Sequence, residues 1–202
     1  MNRVDDLLAA YGSADPLQVA SDWLDHARGV VPEYRAMSLA TIDEDGTPSV
    51  RMVLLRGLDA RGFTWYTNQH SRKGKALAAN PVAAICLFHE PFERQVRAEG
   101  TVVVVEGKEA DDYFHGRPRG HQFGAWASSQ SEPLPERADL EAKEAAAMAR
   151  FGDGEIDRPP YWGGYRLEPR AIELWQGRQN RLHDRIRFER DGERWRATRL
   201  QP

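Results

Sequence analysis

Cysteine is nearly absent: Cys86 is the only one among 202 residues. That excludes an intrachain disulfide and any CxxC-type zinc site, and its setting in AAICLF predicts a small buried hydrophobe. No apolar run approaches the roughly 20 residues that a membrane-spanning helix needs. The N-terminus, MNRVDDLLAAYGSADPL, lacks the basic-then-apolar order of a signal peptide. An excess of positive charge is missing too, with 28 Lys and Arg against 31 Asp and Glu and a formal charge of −3. Without a broad basic field there is no basis for non-specific nucleic-acid binding, so any anion site must be local. The six histidines show neither HxH nor HExxH spacing, which leaves a metal site unsupported. GxGxxG, P-loop and GxSxG motifs are likewise absent. The expectation is a cytoplasmic protein without membrane, nucleic-acid or metal partners.

What is present is an ordinary globular composition, 41% hydrophobic and 29% charged, enough to build a core. Asp15 as N-cap and Pro16 at the first helical position open a helix on which Leu17, Ala20, Leu24 and Ala27 recur at helical spacing. After Pro32 the texture changes. MSLATI, the turn DEDG and PSVRMVLL read as a hairpin, with GFTWYT as a third strand. SRKGKALAANP reads as a short helix capped by Ser71, and VAAICLF as a fully covered strand. ERQVRAEGTVVVVEG supplies one or two strands around Gly100. Helices are expected at EADDYFHG and RADLEAKEAAAMARF, then strands at GGYRLEP, AIELWQG, LHDRIRFER and ERWRATRL. One domain over residues 1–202 is the economical reading, with residues 1–30 as an N-terminal arm and helix. Its architecture would be a mainly β (α+β) barrel with helices packed outside.

Four stretches carry candidate chemistry. In SVRMVLLR, strand alternation puts Arg51 and Arg56 on opposite faces. Arginine in so apolar a strand is costly to bury without a carboxylate or phosphate, although a solvated strand end remains open to either residue. In YTNQHSRKGKAL, a strand ends at Tyr66 and Thr67, and Arg72 and Lys73 occupy the first helical turn. Cations there oppose the helix dipole. A bound phosphate would reverse the problem, while two solvated side chains would be the plainer explanation. WQGRQNRLHDR, read as a strand, lines up Arg181, His183, Arg185 and Arg187 on one face beside Trp175. Such a face is either solvated or turned toward an anionic planar ligand. DYFHGRPRGHQFGAW adds Tyr113, Arg117, Arg119 and His121, and SSQSE brings hydroxyls and an amide. Together these residues suggest a phosphorylated aromatic cofactor held without a Rossmann domain.

RMVLLR, YTNQHSRK, ERQV, YFHGRPRG, GAWASSQS, YWGGYRL and WQGRQNRLHDR occur in the order found in the pyridoxine/pyridoxamine 5′-phosphate oxidase family, which this chain resembles over roughly residues 36 to 202. The resemblance implies an FMN-binding split β-barrel that forms a homodimer with two active sites at the subunit interface. It implies FMN contacts from Arg51, Met52, Val53, Leu54, Leu55 and Arg56, and from Tyr66, Thr67, Arg72 and Lys73 around the ribityl phosphate. Gln95, Gln130, Ser131, Trp175 and Arg185 complete that set, some from the second subunit. For substrate it implies Arg56 as a contact, Tyr113, Arg117 and His121 at the phosphate, and Arg181 and His183 over the pyridine ring as the catalytic pair. Arg181 would clamp the ring, and His183 would orient or accept a proton from the C4′ substituent. The family commonly has Lys at Arg56 and a small hydroxyl residue at His121, and this N-terminus lacks the family's Arg/Tyr-rich arm. The implied reaction is oxidation of pyridoxine or pyridoxamine 5′-phosphate to pyridoxal 5′-phosphate, with O₂ reduced to H₂O₂. Two alternatives stand beside it: a same-fold flavin oxidase of a larger aromatic, as in phenazine biosynthesis, and a non-catalytic FMN or pyridoxal-phosphate binding protein.

Overall fold

In the computed structural model, which describes residues 5–202, helices α1 (Leu7–Tyr11) and α2 (Pro16–Ala27) precede the sheet. The first four residues of the expected N-terminal arm lie outside the described residues. α2 starts as its sequence predicts, the Asp15 carboxylate accepting the Leu17 N–H at 2.9 Å with Pro16 beside it. It buries Leu17, Val19, Ala20, Trp23, Leu24 and Ala27, and each large apolar side chain so covered stabilises by about 1.5–3 kcal/mol.

Among the described residues the sheet has nine strands, paired antiparallel throughout. They are β1 (Ala36–Ile42), β2 (Pro48–Leu54), β3 (Gly57–Asp59), β4 (Gly62–Asn68), β5 (Val82–His89), β6 (Arg94–Val105), β7 (Trp162–Gln176), β8 (Asp184–Asp191) and β9 (Arg194–Leu200). Their spatial order is β2-β1-β5-β6-β7-β4-β3, with β8 and then β9 added on β7. GGYRLEP and AIELWQG are one continuous strand, β7, and it is the spine of the fold. Its first half pairs with β4, its second half with β8, and β6 follows its length. β6 is also a single strand, with a register shift at Glu99/Gly100. A Cβ at Gly100 would collide with the Glu168 carbonyl, so the two long strands can touch there only through glycine.

Four helices lie between strands or beside the sheet: α3 (Arg72–Ala79), α4 (Gly107–His115), α5 (Arg119–Ala127) and α6 (Arg137–Phe151). The main core joins α2 to the sheet through Trp23, Met37, Leu39, Phe63, Trp65, Leu174 and Phe188. A second core of Phe114, Phe123, Ala147, Ile156 and Trp162 sits under α4–α6.

The structure corrects several local expectations. α5 and β3 were not anticipated. VAAICLF is not fully covered: Ile85 and Leu87 are buried, but Val82 and Phe88 are exposed and Cys86 is half-buried. β5 is a central strand with only one face against the core. The β8 strand begins at Asp184, not Leu182, because Gln179–Arg181 form a 3₁₀ turn in which Asn180 and Arg181 adopt φ of +57° and +62°. Arg181 therefore does not share a strand face with Arg185 and Arg187. Among the described residues, no helix is long and apolar enough to cross a membrane. No group of His, Cys, Asp and Glu there is placed to hold a metal ion.

Candidate active site

A cleft of about 770 Å³ opens where β2 and β4 meet α3, α4 and α5. Along β2 the residues alternate, Val50 and Met52 standing 69% and 62% exposed while Arg51 and Val53 turn the other way. Past the strand end, the Arg56 N–H donates to the Thr64 carbonyl at 2.8 Å, which holds Arg56 beside β4. Met52, Val53, Leu54 and Arg56 all line the cleft, as do Tyr66 and Thr67 at the end of β4.

Lys73 enters from the first turn of α3. Ser71 caps that helix, its hydroxyl accepting the Gly74 N–H at 3.4 Å. The Lys73 Nζ donates to Thr67 Oγ1 at 3.1 Å, Ser71 Oγ at 3.2 Å and Gln130 Oε1 at 2.9 Å. All three acceptors are neutral. Among the described residues, no carboxylate lies at ion-pair distance from this buried ammonium. Burial, with a smaller push from Arg51, lowers its pKa to about 8. A cation desolvated at a helix N-terminus is in an unfavourable place, and an incoming phosphate removes the conflict.

The second cationic group is Arg117, just after α4. Its guanidinium lies 4.5 Å from the centre of the Trp162 ring and 5.6 Å from that of Phe114, and its buried Nη1 has no hydrogen-bond partner among the described residues. Burial lowers its pKa first, Tyr113 opposes that shift and Arg56 adds to it. Arg117 lines the cleft, and a guanidinium with an unanswered nitrogen is one that an anion would satisfy. The walls here are aromatic: Tyr66 stacks on Tyr113 at 3.9 Å and 9°, and Tyr113 lies parallel to Trp162 at 6.1 Å and 2°. His121, on α5, lines the same space.

One cleft thus gathers Met52, Val53, Leu54, Arg56, Tyr66, Thr67, Lys73, Tyr113, Arg117, His121 and Gln130. The other sequence-derived residues lie elsewhere. Arg51 bonds within the barrel, donating to the Leu39 carbonyl at 3.1 Å, to Thr41 Oγ1 at 2.7 Å and to Ser49 Oγ. The Leu55 side chain is in the core. Arg72 points outward to Asp43, at 2.6 and 2.9 Å, and Ser131 lines a separate hollow with it.

Gln95, Trp175, His183 and Arg185 form a distinct cluster, with Arg181 on the adjoining turn. Gln95 is opposite Trp175 on one side and Phe88 on the other. Trp175 is opposite Arg185, and its ring meets His183 at 4.7 Å. Arg185 grips the Glu173 carboxylate at 2.9 and 3.1 Å and donates to the Gln201 carbonyl at 2.9 Å. Trp162 and Trp175 stand near opposite ends of β7, about 40 Å apart along a fully extended strand. A single chain does not bring the two groups together. Sequence reasoning also missed Trp162, quoted within YWGGYRL but given no part. Its signal was an aromatic opening a strand immediately before two glycines.

The fold is thus a split barrel whose cleft is cationic and aromatic-walled. Residues 24–148 match the family described as pyridoxamine 5′-phosphate oxidase, and residues 162–202 match the pyridoxine 5′-phosphate oxidase C-terminal dimerisation region. The chain is 52% identical to the pyridoxine/pyridoxamine 5′-phosphate oxidase of Bordetella petrii, covering 97% of this chain and 93% of that one. It is 48% identical to the protein of the same name from Thermosynechococcus vestitus, covering 99% and 95%. Among solved structures, PhzG from Burkholderia lata, in complex with tetrahydrophenazine-1-carboxylic acid, superposes with a TM-score of 0.91 at 34% identity over 98% of both chains. An FMN-binding, pyridoxamine 5′-phosphate oxidase-related protein of Nostoc punctiforme shares the fold, with a TM-score of 0.75 at 17% identity over 94% of this chain and all of that one. The chain belongs to the pyridoxamine 5′-phosphate oxidase family, a family of oxidoreductases. The resemblance read from the sequence motifs and the split-barrel fold it implied are both borne out.

Proposed function

We propose that this chain is an FMN-dependent oxidase that converts pyridoxine or pyridoxamine 5′-phosphate to pyridoxal 5′-phosphate, with O₂ as acceptor and H₂O₂ as by-product. The observation that carries this reading is the pair of uncompensated cations, Lys73 and Arg117, set among different partners in one cleft. A phosphorylated cofactor and a phosphorylated substrate need two such grips. Lys73, Thr67 and Gln130 fit the phosphate of FMN. Arg117 and Tyr113, flanked by Arg56 and His121, fit that of the substrate. Bound FMN supplies the hydride-accepting ring and the electron route to O₂.

The rest of the site comes from a second copy of the chain. The dimerisation-region match spans Trp175, Arg181, His183 and Arg185, so pairing two chains is the way to lay that cluster against the other's cleft. Arg181 then holds the substrate ring face-on, and His183 touches the reacting substituent. Closure by the second copy excludes water from both cations, which strengthens their hold on phosphate.

A second reading is favoured by the high structural similarity to PhzG, whose ligand is a larger ring acid. Arg117 argues for the phosphorylated substrate, since it lines the cleft beside Tyr113, Arg56 and His121 and a guanidinium is suited to a phosphate. Anaerobic mixing of the FMN-loaded dimer with pyridoxamine phosphate decides the matter. Rapid loss of the flavin's visible absorbance is expected. A flavin that stays oxidised defeats the proposal and leaves a carrier or a different substrate.

A further inference from the structure

The turn that leads from Arg178 to His183 is more constrained than a surface connection requires. Asn180 and Arg181 both lie in the left-handed region, at φ +57° and +62°. Asparagine visits that region readily, arginine does not. Strain of this kind persists only where surrounding contacts impose it. The Arg178 side chain supplies some of them, its Nε donating to Asp184 at 2.7 Å and its Nη2 to the Asp5 carbonyl at 3.1 Å.

Besides the Leu182 N–H bond to the Gln179 carbonyl at 3.2 Å, this turn produces a hydrogen bond to a side chain. The backbone N–H of Arg178 points at Nδ1 of His183, at 3.1 Å, while Trp175 packs against the ring at 4.7 Å. An amide N–H can only donate, so Nδ1 must accept. A neutral imidazole carries a single hydrogen, which then sits on Nε2, and the bond made by one ring nitrogen fixes what the other offers.

We propose that the Arg178 main chain sets His183 as an Nε2–H donor, and that His183 gives a hydrogen bond to a lone-pair atom of the bound pyridine compound instead of taking a proton from it. Of the two roles open to His183, orienting or deprotonating, this selects the first. The ligand's identity rests on the function proposed above; the tautomer does not. Arg178 is a positioning residue that acts through its main chain.

Long-range ¹H–¹⁵N correlation on the full-length protein, labelled with ¹⁵N-histidine, tests the assignment directly. The signal missing from His183→Gln identifies His183 among the six histidines. The expected pattern is a neutral ring protonated at Nε2, with and without FMN. An Nδ1–H pattern overturns the proposal whatever the activity. Kinetics give a second arm, because a glutamine amide can place a donor near the position of Nε2. His183→Gln should stay within about 10-fold of wild-type kcat/KM, and His183→Ala should lose about 10- to 100-fold. A glutamine variant that binds FMN normally yet is no better than alanine overturns the donor role. If the wild-type protein oxidises neither phosphorylated substrate, the functional reading fails, and the NMR pattern still decides the tautomer.

Discussion

Cations gather in two regions of this chain, and the fold treats them differently. At the far end of β7, arginines meet carboxylates: Arg185 with Glu173, Arg178 with Asp184, Arg187 with Glu99. In the cleft, and among the described residues, Lys73 has only hydroxyl and amide acceptors and Arg117 keeps a buried nitrogen without a partner. Both regions look alike as basic sequence. Whether the chain supplies the counter-charge separates a cation that holds the fold together from one reserved for a ligand, because leaving a buried charge unanswered is costly.

The sharpest way to break this comparison is Arg117→Met. It removes the cleft's second cation, so KM for the phosphorylated substrate should rise about 100-fold with FMN content unchanged. Normal steady-state kinetics would show that an unpaired cation need not face a ligand. Next is Lys73→Met, for which titration of flavin fluorescence should show FMN binding about 10- to 100-fold weaker and riboflavin nearly unaffected.

The lowered pKa of Lys73 gives that site a pH signature. Between about pH 8 and the ordinary lysine value of 10.5, the unliganded folded chain has lost a proton that the unfolded chain keeps. This contribution to stability therefore grows as pH rises through the window. FMN affinity moves the opposite way, falling by at most about tenfold per pH unit as the ammonium is lost. Lys73→Met should abolish the pH dependence of FMN binding in that range.

A smaller effect is expected at Arg185, where three N–H groups already serve Glu173 and the Gln201 carbonyl. Arg185→Ala should lower stability by about 1.5 kcal/mol, the low end for a charge-assisted bond, read as a shift in the denaturation midpoint. Flavin release without such a shift would move Arg185 to the ligand side of the comparison. Arg72→Ala should change least. Its pair with Asp43 is at the surface, worth less than about 1 kcal/mol, and FMN binding should stay close to wild type.

Elements with strong local signals were legible in the sequence. Asp15-Pro16 and Ser71 start helices through side-chain caps that the structure reproduces, and the β1–β2 hairpin follows its alternation. α5 escaped notice because Pro118 caps it without a side-chain bond and two glycines, Gly120 and Gly124, dilute its helical pattern. The start of β8 was misplaced because its left-handed turn uses Asn180 and Arg181, not glycine. At the candidate site, the cleft's residue types could be read, but the answer to which arginines are free could not. Glu173 and Glu99 reach their partners only through strand register, a long-range property that a run of residues does not display.

The placement of the two clusters near opposite ends of β7 has a genetic consequence if each site is shared between copies. Consider one allele carrying Arg117→Met and another carrying Arg181→Ala, each strongly impaired alone at substrate concentrations well below the raised KM. A mixed dimer would hold one doubly damaged site and one built from the intact cleft of the second chain and the intact turn of the first. Two impaired alleles expressed together should therefore complement. A protein whose sites were each complete within one chain would show no such recovery.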